Sequence, residues 1–206
     1  MPISIAVQAA LRESNLLSEW IGQHYPLTYK ETGHLHIAMS LYAIAGEHRE
    51  AFKLLLNHDA KTSAFALARS VYEAFMRGLW AETIMTPERY ATALERREFP
   101  KFETIMSDLQ KQEEEAGAVG KSKRLLWKPL SNFSHGGFNQ VMRWHGEEGI
   151  EPCHSDDESI QMLGLVDLYG LCAFIQAANL ASVPPSDLKQ HCSQVLARLR
   201  KSVSDP

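Results

Sequence analysis

Cysteine is scarce: Cys153, Cys172 and Cys192 are the three in 206 residues, an odd number at wide spacing. That is no disulfide framework, and a reducing, cytoplasmic setting is the expectation. A basic excess is missing too. With 21 Lys and Arg against 25 Asp and Glu the formal charge is −4, so no global positive field exists to hold DNA, and any nucleic-acid contact must be local. Glycine and proline, 12 and 9 residues, are too few for a collagen-like or low-complexity chain. The opening MPISIAVQAALRES lacks the basic start and apolar run of a secretory signal, and reads as a first helix. The one long apolar stretch, Ile160 to Val183, contains Asp167, Gln161, Gln176 and Asn179. A carboxylate at mid-bilayer is costly, so a core helix is expected and no membrane partner. Neither strand-like alternation nor an internal repeat is visible.

What is present is helix. A 45% hydrophobic composition over this length supports a single all-α domain spanning 1–206, built as an antiparallel bundle. Prolines fall between long breaker-free stretches. Between Glu31 and Asn57, Ile37, Leu41, Ile44, Phe52 and Leu55 recur at mostly three- and four-residue spacing, predicting an amphipathic helix. A second helix over about Thr62 to Ile84 carries Phe65, Ala68, Tyr72, Phe75, Met76 and Leu79, and the short link makes a hairpin of the two. Thr86-Pro87 caps another, and Pro100 separates it from a helix over Lys101 to Glu115. Glu113-Glu114-Glu115 reads as a solvated helix end. The next helix runs from Ser122 to Trp144 with a bend at Pro129 or at Gly136-Gly137. Ser155 or Asp156 caps the apolar helix ending near Ala181, and Pro184-Pro185 precedes the last.

Charges on apolar faces single out the candidate site residues. Arg69 falls in the arc of Phe65, Tyr72, Met76 and Trp80, so its guanidinium needs a carboxylate. Glu73, one turn on, is one partner; Asp167, on the face of Ile160, Gly164, Leu171, Phe174 and Ala178, is the other. A structural ion-pair network is one meaning of these residues and a ligand site the other. Along Arg124 to Trp144, Leu126, Leu130, Phe133, Gly137, Val141 and Trp144 share one face, leaving Arg124, Lys128, Ser131, His135 and Asn139 on a polar, cationic one. That face is either the ordinary solvated side of an amphipathic helix or a site for an anion or a phosphate, with Ser131 or Asn139 orienting the imidazole.

Other motifs fail on spacing. Gly120-Lys121-Ser122 ends as a phosphate-binding loop does, but Glu115 stands where that motif needs glycine. His34 and His36 diverge on a helix, and neither Cys153-His154 nor His191-Cys192 has zinc-ligand spacing, so no metal and no cofactor are expected.

The stretch His48-Arg-Glu-Ala-Phe-Lys-Leu-Leu-Leu-Asn57, followed by Ser63 to Trp80 with its Arg69-x-x-x-Glu73 helix and by Ser131-Asn132-Phe133-Ser134-His135, resembles an uncharacterised bacterial family related to the HEPN helical bundles. The resemblance covers about residues 45 to 145. It implies an antiparallel bundle that commonly dimerises, whose active members are metal-independent ribonucleases using an Arg-x(4–6)-His motif. No arginine stands five to seven residues before any histidine here; Lys128 occupies that distance from His135. A lysine keeps the charge but not the planar fork that grips a phosphate. What carries over by motif is Arg69, Glu73, Ser131 and His135, and the candidate ligand-binding or structural polar cluster is Arg69, Glu73, Ser131, Asn132 and Asp167. The expectation is a homodimeric, HEPN-like protein that binds nucleotide or RNA without efficient catalysis. Two alternatives stand beside it: an interaction module in which the polar cluster is a buried ion-pair network, and a ribonuclease with His135 as acid or base and Lys128 as phosphate stabiliser.

Overall fold

The computed structural model describes residues 3–25, 33–112, 117–134, 137–146, 149–183 and 185–204. Among them lie nine helices: α1 (Ile5–His24), α2 (His34–Asn57), α3 (Lys61–Thr83), α4 (Pro87–Arg96), α5 (Phe102–Gln112), α6 (Ala118–Ser134), α7 (Phe138–Met142), α8 (Asp156–Leu180) and α9 (Leu188–Ser204). The only pairing of extended backbone among the described residues is an isolated bridge, His145 to Ile150.

Local chemistry explains most ends. Thr86 accepts the Arg89 amide and Pro87 occupies the first turn of α4, where its missing N–H costs nothing. Ser155 and Glu158 form a reciprocal capping box on α8. The α2/α3 turn passes through Asp59 at φ 58°, and the two helices return antiparallel. They approach closely because Gly78 has no side chain: a Cβ there would lie 2.5 Å from the Tyr42 ring. Tyr42 then donates to Glu82 at 2.5 Å.

α8 packs across both members of this hairpin, with α1 and α9 on its other flanks, while α5 and α6 cover α3. By length and composition α8 could cross a membrane, yet Leu163, Val166, Leu171, Phe174 and Ala177 are buried against its neighbours. The main core joins Phe52, Phe65, Tyr72, Trp80, Ile105 and Leu163; a smaller cluster of Leu17, Trp20, Leu171, Phe174, Ala178 and Val195 binds α1, α8 and α9.

Two features differ from the periodicity. In α2 the buried arc is Ala38, Leu41, Tyr42, Ala45, Arg49, Phe52, Lys53 and Leu56, so Ile44 is 42% exposed. The anticipated Ser122–Trp144 helix is two helices. α6 runs through Pro129 to Ser134, the Gly137 amide donates to the Asn132 carbonyl at 2.9 Å, and a separate helix, α7, begins at Phe138. Val141 and Trp144, expected on the core face, are therefore 47% and 38% exposed.

Candidate functional sites: a surface ladder and a buried charge node

The first polar centre lies where α3 meets α6. The helices run antiparallel: the Tyr72 hydroxyl meets Ser122 Oγ at 3.0 Å, and Ser134 Oγ donates to the Ala66 carbonyl at 3.2 Å. Along α3, Arg69, Glu73 and Arg77 follow at four-residue steps and so stand above one another. Glu73 accepts from both Nε and Nη2 of Arg77, at 3.1 and 2.6 Å, while Arg69 Nε lies 3.4 Å from its other oxygen. The guanidinium of Arg69 sits 4.4 Å above the Trp127 ring, and that of Arg77 faces Phe99 and Phe102. Flat cations on aromatic faces, at 16% and 20% exposure, form a lid over the hydrophobic seam rather than an interior charge.

Other residues of the expected cluster are on α6. Asn132 Nδ2 donates to the Lys128 carbonyl at 3.1 Å, inside its own helix. Ser131, expected on an exposed polar face, is half-buried, and its Oγ is sealed from solvent without a hydrogen-bond partner among the described residues. Lys128 is exposed. His135 lies outside the described residues. The bundle thus gathers Arg69, Glu73, Lys128, Ser131 and Asn132 along one helix pair.

Asp167 is elsewhere, and the expected Arg69–Asp167 pair does not form. Asp167 is fully buried and belongs to a node between α1, α2, α8 and α9. Arg49 approaches its Oδ1 with Nε and Nη2, both at 2.8 Å, and Ser14 Oγ donates to the same oxygen at 2.7 Å. Arg198 Nη1 lies 2.8 Å from Oδ2 and reaches Glu13 at 3.6 Å. The remaining Arg49 donors go to the Ser14 carbonyl at 3.0 Å, to Ser18 Oγ at 2.8 Å and to Glu50 at 2.5 Å. Lys53 meets Glu50 at 2.8 Å and also touches Ser18.

Three cations face three anions, so the node is neutral although Arg49 and Lys53 are 2% and 6% exposed. Neutrality and filled donors are what make such a burial tolerable. Burial alone would raise the Glu50 carboxyl, but Lys53, Ser18 and Arg49 hold it below its ordinary range. Gly170 makes the room: a Cβ there would lie 2.3 Å from Arg49 Cδ. Sequence reasoning found Asp167 and missed Arg49 and Lys53. The signal was available, since Ala45, Arg49, Phe52 and Leu56 follow helical spacing.

α6 carries a third feature. Lys121, Lys123, Arg124 and Lys128 give it four cations and no acid. Lys121, Arg124 and Lys128 are exposed on one stripe beside Leu125, 71% exposed. No ion pair holds them among the described residues. Nor do three or more His, Cys, Asp or Glu side chains converge there as a metal site.

Residues 42–198 match the model of DUF6988, a family of unknown function. No curated protein and no solved structure matches the chain. The match covers most of the molecule, from the middle of α2 to the arginine that reaches Asp167, and the chain belongs to this family.

Proposed function

We propose that this DUF6988 protein is a HEPN-like, homodimeric cytoplasmic protein that binds RNA, or the phosphates of a nucleotide, along α6 without efficient catalysis. One observation carries the proposal: in a chain of net charge −4, α6 concentrates four cations with no acidic residue. Its exposed members Lys121, Arg124 and Lys128 span about 10 Å of helix. Exposed ammonium and guanidinium groups on one stripe, with no ion pair among the described residues, are an electrostatic footprint for a phosphate chain. The ladder behind them holds Trp127, and with it α6, against α3.

The alternative of a structural ion-pair network has its own support at Asp167. Oδ1 accepts from Arg49 and Ser14, and Oδ2, which makes no hydrogen bond among the described residues, lies 2.8 Å from Arg198 Nη1, contacts that support a register-fixing role.

Anisotropy titration of a labelled single-stranded RNA tests the main proposal. Three phosphate contacts predict that log affinity falls with log salt at a slope of about −2, and that K121E/R124E/K128E removes binding at low salt. Equal affinity in the triple variant would falsify it.

A further inference from the structure

Two of the three cysteines lie on the packed pair α8 and α9, Cys172 on the first and Cys192 on the second. Three contacts fix the antiparallel register of this pair. A Cβ on Gly164 would lie 2.9 Å from Leu199 Cδ2, Asp167 pairs with Arg198, and Trp20 holds Phe174 and His191 on adjoining sides of its ring. Advancing along α8 while retreating along α9 by the same number of residues brings Cys172 opposite Cys192. Leu168 and Ile175, one turn before and after Cys172, pack on the cluster that also receives Leu188, Cys192 and Leu199 from α9, while Cys172 packs on the main core at its border with that cluster and still feels the Cys192 thiol.

We infer that Cys172 and Cys192 form a redox pair that a small disulfide such as oxidised glutathione converts to an intrachain disulfide, fastening α9 to α8. The Cys192 thiolate attacks one sulfur of the oxidant, giving a mixed disulfide and releasing one reduced glutathione. Cys172 then loses its proton and attacks Cys192 Sγ, releasing the second. Two protein thiols are oxidised and one disulfide is reduced, so the electrons balance. A disulfide requires Cα atoms within about 7 Å, a separation that facing positions reach on helices whose axes are about 8–10 Å apart. Burial raises both thiols above their ordinary range, Cys172 to about 11, with the neighbouring Cys192 adding to the rise. The pair is consequently a slow lock, accelerating about tenfold per pH unit through neutrality, not a fast sensor.

Cys153 is exposed and would be glutathionylated in parallel, so the experiment uses Cys153→Ser protein. Folded protein is incubated with oxidised glutathione, alkylated, and weighed intact. The expected product is a monomer lighter by two hydrogens, with no alkylation, and with slowed amide exchange in α9. Adding Cys192→Ser should stop the internal link and leave one alkylatable or glutathionylated thiol. Stable adducts on both cysteines, a disulfide between two chains, or two thiols still alkylatable after prolonged oxidation at pH 8.5 would each overturn the inference.

Discussion

The ladder on α3 and the node under α8 use similar side chains to opposite ends. In the ladder, Arg69 and Arg77 share Glu73 within one helix and lean on rings, each retaining contact with water. In the node, Arg49 bonds to α1 and α8 as well as to Glu50 of its own helix, and has almost no solvent. A solvated pair contributes little because water competes for both ions. A buried pair contributes little net as well, yet breaking it strands a charge that nothing else can solvate. The lesson concerns specificity: the ladder can lose a member and remain a helix, whereas the node ties together four helices whose relative placement depends on each partner.

Removing one member of the node should have the largest effect. Asp167→Ala or Arg49→Ala is expected to cost about 3–5 kcal/mol in urea unfolding, since either removes the buried partner of an interior charge and leaves the node out of balance. The double variant Arg49→Met with Asp167→Leu should cost much less than the two singles added, and simple additivity would mean that no coupled node exists. Gly170→Ala comes next, at about 1–3 kcal/mol, because the new methyl group must displace an arginine stem already held at its far end. A melting temperature equal to that of the parent would show that the stem has slack.

Acidification separates buried neutral groups from buried charged ones. Burial pushes the His154 imidazole below its ordinary range, with Arg143 and Lys61 acting in the same direction and Glu158 against them. The folded state therefore resists a proton that the unfolded chain accepts, and stability is present in full above about pH 6.5 and falls below it. Glu158, despite its burial, is held low by Arg143, as Glu50 is by its partners. Their contribution is complete above about pH 4.3 and declines as the pH falls through their lowered folded values. Unfolding midpoints followed from pH 8 to pH 3 should descend in these two stages, and His154→Gln should shrink the first, leaving the share of His191, an imidazole that burial also pushes down.

Arg69→Ala should cost only about 1 kcal/mol, the size of one cation–ring contact and one solvated pair. A loss as large as that of Arg49→Ala would erase the distinction between the two centres. Smallest of all, K121E/R124E/K128E should shift stability by only about 0.5 kcal/mol, because these side chains carry no structural pairs among the described residues. Unfolding of that variant would mean that the stripe is structural.

Much of this architecture was legible in the chain. Thr86-Pro87, Ser155 with Glu158, and the turn after Asn57 mark boundaries because caps and turns are local chemistry. The polar centres were legible only by halves. Arg69 with Glu73 could be read, since helical geometry alone places residues four apart together. Asp167 stood out as a carboxylate on an apolar face, but its partner is 118 residues away and no periodicity encodes such a distance. Arg49 stayed hidden because the pattern of large aliphatics drew the buried face of α2 through Ile44. The true face runs through Ala45 and two cations, whose burial depends on acceptors contributed by α1, by α8 and by Glu50 of α2 itself. α7 escaped for a related reason: its apolar residues continue the phase of α6, yet it is a separate helix beginning after Gly137, and Phe138, Val141 and Met142 are exposed.

Ser14 and Ser18, the hydroxyls that complete the node, sit on α1, outside residues 42–198 of the family match. For Arg49 this first helix does what a hydration shell does for a free guanidinium: it offers oxygens at the right distances, but held rigidly. Chain cut back to the matched segment would lose that shell together with Glu13, leaving three cations to two anions, and water would have to enter the interior to replace them.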